Sequence, residues 1–154
     1  MDTHYVVVFD AAEAGYRQWW FPAFGLIFVA LGLLCVFATR RSSVSRARLS
    51  ARLFTGFAML WVTTTAVSTL TDYYSLRNAL RDGNYVVVEG PVTDFTSAPK
   101  LESFHVGDHI YQYSDSNVTA AFNNMSSHGG PVRAGLRVRI ADVQGDIARL
   151  EIAR

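Results

Sequence analysis

The chain is poor in charge and nearly devoid of cysteine. Asp, Glu, Lys and Arg make up 18% of its 154 residues, where an ordinary soluble domain carries about 25%, and hydrophobic residues make up 50%. Cys35, the only cysteine, excludes an internal disulfide and says nothing of redox compartment. Leu34 before it is too large for a lipoprotein cleavage box, so Cys35 reads as lipid-facing or interhelical packing. No G-x-S-x-G elbow is present, and no His, Cys or carboxylate pair has a recognised metal-ligand spacing. The length excludes a large two-domain enzyme and allows one small domain with a membrane anchor.

Charge is absent above all from two runs. Residues 21–39, FPAFGLIFVALGLLCVFAT, would span about 28 Å as a helix, close to the thickness of a bilayer core. Residues 53–70, LFTGFAMLWVTTTAVSTL, have only Thr and Ser as polar side chains, and their hydroxyls can bond back to helix carbonyls. Both runs are expected to span a membrane; burial in a soluble core is the competing reading. Trp19 and Trp20 at the entry of the first, and Tyr73 and Tyr74 past the second, suit a headgroup interface. Between them, residues 40–52 hold Arg40, Arg41, Arg46, Arg48 and Arg52 and no acid, which makes this a cytoplasmic loop and places both termini outside. Residues 1–20, with Asp2, Asp10 and Glu13 against Arg17, have the wrong sign for a signal peptide, so the first run is read as an uncleaved anchor. Gly25, Gly32 and Gly56 would allow close helix approach without a G-x-x-x-G motif. Neither run holds an ionisable side chain to carry ions or protons.

Residues 71–83 keep a helical period and are expected to form a stalk. Over 84–154 the period falls to two, and strands are expected at 85–89, 92–96, 102–106, 109–114, 136–143 and 147–153. Gly90–Pro91 should bend the first, while Gly107–Asp108 and Gly145–Asp146 should turn hairpins. Such short strands suit a closed or nearly closed small antiparallel β-barrel of the OB or SH3-like type; an open meander is the competing architecture. The fold class expected is therefore an α+β membrane protein, a two-helix transmembrane hairpin followed by this β domain. Tyr5 to Phe9 would be a docked edge strand or a mobile tail.

Residues 117–131, NVTAAFNNMSSHGGP, are too polar for a strand and too long for a turn, and such loops often carry function. Tyr111, Tyr113, Asp115, Asn123, Asn124, Ser126, Ser127 and His128 are the candidate ligand or interface residues. The alternative is a barrel-closing loop whose side chains satisfy local backbone. Ser126 or Ser127 with His128 and Asp115 would make a nucleophile set, but adjacent Ser and His on one loop seldom face each other. His105, Asp108, His109, Asp115 and His128 are conceivable metal ligands without a recognised spacing, and His105 and His109 would be cross-strand neighbours. No catalytic residue and no cofactor is expected. Over residues 83–154 six basic side chains face eight acidic ones, the wrong sign for nucleic acid.

SHGGPVRAGLRVRI (127–140), IARLEI (147–152), VVEGPVTDF (87–95), ESFHV (102–106) and YSD (113–115) together resemble small bacterial membrane proteins with two spans and a C-terminal β domain, of uncharacterised activity. WWFPAFGLIFVALG (19–32) is similar more weakly. The resemblance implies a bacterial origin and a recurring domain, and assigns no catalytic residue. The sequence thus leads to a protein of the bacterial cytoplasmic (inner) membrane displaying an extracytoplasmic binding or assembly module, non-enzymatic. The bilayer and an envelope protein or a second copy would be its partners. An envelope enzyme, or a sensor of a small ligand or glycan using the same loop, is the alternative.

Overall fold

The structure, a computed structural model, describes residues 4–154; Asp2 and the rest of the first three residues of the expected N-terminal segment lie outside them. The protein is α+β, with two long apolar helices and one six-stranded antiparallel sheet. It divides into two compact units, Arg17–Leu70 on the one hand and Met1–Tyr16 with Thr71–Arg154 on the other.

The first unit is helical. A 3-10 turn, Arg17–Trp19, leads into α1, Trp20–Thr39, and after a short connection α2 runs from Ser45 to Asp82. The basic segment is therefore mostly helix. Arg40 and Arg41 lie in the connection, whereas Arg46, Arg48 and Arg52 lie on the first turns of α2, where Arg, Ala and Leu are good helix formers. The helices pair antiparallel at two glycines: Gly25 lies against Trp61 and Val62, and Gly32 against Thr55. Gly56 touches no neighbouring element. Most other large side chains, among them Leu26, Ile27, Leu34, Phe37, Phe57 and Leu60, are exposed, unlike those of soluble core helices. The hydroxyls of Thr55, Thr63, Thr65 and Thr69 each donate to the carbonyl four residues back, at 2.8 to 2.9 Å. Both helices are long and apolar enough to cross a membrane.

The second unit holds the sheet, in the order β1-β6-β5-β2-β3-β4, formed by β1 Tyr5–Asp10, β2 Val86–Ala98, β3 Leu101–Val106, β4 His109–Tyr113, β5 Arg137–Val143 and β6 Asp146–Ala153. The N-terminal segment is a docked edge strand, with Tyr5 opposite Ala153 and Asp10 opposite Arg149. β2 is one long strand shared between neighbours: Val86 to Pro91 pair with β5, and Val92 to Ala98 pair with β3. The handover falls between Pro91 and Val92; pairing runs through Gly90–Pro91 unbroken, and the irregularity expected there lies between Thr93 and Thr96, with Asp94 at φ 47°. The last hairpin turns one residue earlier than expected, at Gln144 and Gly145, both at positive φ, so that Asp146 is the first residue of β6.

The sheet is not closed. β1 and β4 are its two ends, and the expected barrel gives way to an open sheet because the polar stretch after β4 supplies a plug rather than a further strand. Phe122 from that stretch contacts both ends, its ring 5.6 Å from Phe9 of β1 and 5.1 Å from Tyr113 of β4. Phe122, Met125 and Val132 complete a core with Val88, Val92, Phe104, Val106, Tyr111, Val138, Ile140, Ile147 and Leu150. A second buried cluster joins Tyr73, Leu76 and Leu80 of α2 to Ala11, Ala120, Ala121, Ala141 and Ala148. Small side chains there let the helix lie close. Residues 71–82, within the expected stalk, thus belong to the β unit through this cluster.

Candidate functional site

The segment between β4 and β5 does two different jobs. Its second half is held by Glu102, which β3 places in phase with Phe104 and Val106 and therefore on the core face, where it has no exposed surface. The carboxylate accepts hydrogen bonds from the Ser97 hydroxyl (2.8 Å), the Tyr113 hydroxyl (2.8 Å), the Ser126 amide (2.9 Å) and the Ser126 hydroxyl. Burial alone would raise its pKa; the bonds from Ser126, Tyr113 and Ser97 outweigh that and hold it below the ordinary glutamate value. Burial and the Glu102 bond push the Tyr113 phenol well up. Tyr111 is handled alike: burial comes first, then its 2.8 Å bond to Asp142. Asp142 also accepts from the Gly145 amide at 2.7 Å.

The S-S-H-G-G stretch is explained by backbone. Gly129 closes a 3-10 turn, Ser126–His128, at φ 88°, a left-handed conformation that suits glycine. A Cβ on Gly130 would collide with the Asn124 carbonyl. Arg133 clamps the exit, donating to the carbonyls of Gly130 and Val132 at 2.6 Å.

The Ser, His and Asp of this stretch do meet, in an arrangement unsuited to nucleophilic catalysis. Nδ1 of His128 faces both the Asp115 carboxylate and, at 3.4 Å, the Ser127 hydroxyl. One ring nitrogen cannot accept a proton from serine while donating to aspartate, and a relay needs the two nitrogens on opposite partners. Ser126 is occupied by Glu102. His105 faces Asp94 at 3.6 Å and His109 faces Asp142 at 4.0 Å, each on its own. His105 pairs with Ile110 and His109 with Val106, so the two histidines are not the expected cross-strand partners. Among the described residues no three His, Cys, Asp or Glu side chains group as metal ligands.

The first half of the segment lines a groove of about 360 Å³, walled by Gln112, Tyr113 and Ser114 from the end of β4, by residues 117–119 and 121–123, and by Gly145, Asp146 and Ile147 of the last hairpin. It is pinned from behind: Asp72 of α2 accepts from the Ala120 amide at 2.7 Å and the Thr119 hydroxyl at 3.4 Å, while the Asn123 side chain donates to the Asn117 carbonyl at 3.0 Å. Burial, then the nearby Asp72 and Asp142 carboxylates, raise the pKa of Asp146.

Of the eight candidates from sequence, Tyr113 and Asn123 line this groove. Tyr111 is buried, Asp115 is paired to His128, Ser126 is committed to Glu102, and Asn124, Ser127 and His128 are exposed away from the groove lining. Trp19, Trp20 and Tyr74 are exposed, whereas Tyr73 is buried in the alanine cluster and does not present its ring to a headgroup. Sequence reasoning missed Gln112, Thr119, Asp72 and Asp146. Asp146 looked like turn filler, and Asp72 is nearly fifty residues from the amide it holds. No protein-family model, curated protein or solved structure matches this chain.

Proposed function

We propose that this is a two-span protein of the bacterial cytoplasmic membrane, both termini outside, whose β unit is a non-enzymatic binding module that takes a small polar ligand in the groove beside residues 117–123. The observation that carries the reading is the groove itself, concave and walled by Gln112, Ser114, Asn117, Thr119, Asn123 and Asp146. Two further observations support it. The Ser127, His128 and Asp115 side chains are wrongly disposed for acyl transfer, and the long outward-facing apolar helices suit a lipid setting. The arginines of residues 40–52 support the orientation. An envelope protein or a second copy would then read the liganded state.

Two measurements test this. Carboxyl-terminal phosphatase and fluorescent-protein fusions should give phosphatase activity without fluorescence; the reverse overturns the orientation. The full chain in lipid nanodiscs should be stabilised saturably by some member of a panel of sugars, amines and carboxylic acids, and Asn117→Ala with Asn123→Ala should remove that stabilisation. A flat response across the panel overturns the small-ligand reading.

A further inference from the structure

The groove's lining also sets the charge of what it can hold. Gln112, Ser114, Asn117, Thr119 and Asn123 offer amides and hydroxyls, and the one formal charge on the wall is the carboxylate of Asp146. Among the described residues no Lys, Arg or His is paired with it. Two more carboxylates stand immediately behind the wall, because lining residues are bonded to them: Thr119 to Asp72, and Gly145 to Asp142. Both already accept hydrogen bonds from the protein, so their charge reaches the groove while their oxygens stay engaged. An anion placed there would meet repulsion from these carboxylates; His109, 4.0 Å from Asp142, is turned to that carboxylate and does not line the groove.

Resting on the reading of this groove as a binding site, we propose that its ligand is a small protonated amine, its ammonium group on the Asp146 carboxylate and its remaining N–H donors on the side-chain oxygens around it. An ammonium carries donors alone, and the Asp146 carboxylate with the amide oxygens of Gln112, Asn117 and Asn123 can accept from it. A divalent cation fits less well, since it favours several carboxylates converging on one point, and the wall holds one, Asp146. A neutral sugar would leave Asp146 unneutralised beside Asp72 and Asp142. The volume suits a molecule of a few heavy atoms to drug size.

The test uses the full chain in nanodiscs of zwitterionic lipid, titrated with putrescine, with 1,4-butanediol as its neutral analogue, with succinate as the anionic one, and with CaCl2. The expected result is saturable putrescine binding at least tenfold tighter than that of the diol, with no succinate binding. Asp146→Asn should lose that preference while melting no lower than the parent, because it removes a carboxylate that its surroundings disfavour in the charged form. Equal affinity for putrescine and the diol, or putrescine binding untouched by Asp146→Asn, overturns the amine assignment and leaves the groove as a site for neutral ligands. Tighter binding of calcium than of putrescine, abolished by Asp146→Asn, replaces the amine with a metal. Failure of all four probes overturns the amine assignment, and the wider panel above then decides whether the groove binds anything.

Discussion

Glu102 is a charged side chain with no exposed surface, and its acceptor capacity is filled by Ser97, Tyr113 and Ser126. Removing it strands the buried Tyr113 hydroxyl and takes the partner from the half-buried Ser126 amide and hydroxyl. Glu102→Ala is expected to cost about 3 kcal/mol, and Tyr113→Phe, which removes one donor of several, about 1 kcal/mol, read from denaturation of the purified chain. The pH dependence follows from the lowered pKa of Glu102. Its contribution is fully present above the ordinary glutamate value and is lost as pH falls from there through the lowered folded-state value. Melting temperature should therefore drop in that acid window and drop less in Glu102→Gln. An unchanged acid limb in the variant would remove Glu102 from the explanation. Gln18 is the opposite case: it is 3% exposed and neither side-chain polar atom has a partner among the described residues. Gln18→Leu is expected to stabilise the chain by about 1 kcal/mol, and a lower melting temperature in detergent would show that the amide is satisfied.

At the scale of elements, the segment between β4 and β5 replaces the strand that would have closed a barrel. Phe122 touches Phe9 and Tyr113 at the two ends of the sheet, so Phe122→Ala is expected to cost about 3 to 5 kcal/mol. Gly130→Ala must displace the Asn124 carbonyl and should loosen the Ser126–His128 turn, faster amide exchange over residues 124–130 being the measurement. Exchange unchanged from the parent would show that the turn tolerates a Cβ. The strand positions are legible from period and composition, because alternation reports which side of a pleat is buried, whereas the irregularity of β2 lies at Thr93–Thr96 and not at Gly90–Pro91. Closure is not legible, because it depends on whether two ends far apart in sequence meet. The same limit hid the groove, whose walls come from β4, residues 117–123 and the last hairpin.

For the whole molecule, the exposed apolar surface of α1 and α2 sets the expectation. Phe24, Ile27, Leu34, Phe37, Phe57 and Leu60 are each more than half exposed, and a water-soluble protein seldom exposes so much apolar surface. The chain should stay in the membrane fraction through an alkaline carbonate wash and be released by detergent. Release by carbonate alone would turn α1 and α2 into peripheral or partner-covered helices. The weak overall charge, +1 on 154 residues, gives no electrostatic route to the membrane in place of insertion, apart from the arginines of residues 40–52.

The amino-acid sequence by itself determined two long helices of membrane-spanning character and the strands that follow them, since each rests on the local period and composition of one stretch of chain. Only the tertiary structure decided that the sheet stays open and that Tyr73 turns into a buried alanine cluster. The structure alone also set Ser126 to hold Glu102 and left Asp146 as the carboxylate on the groove wall. Each of these depends on contacts between residues distant in sequence, and such contacts leave no period to read.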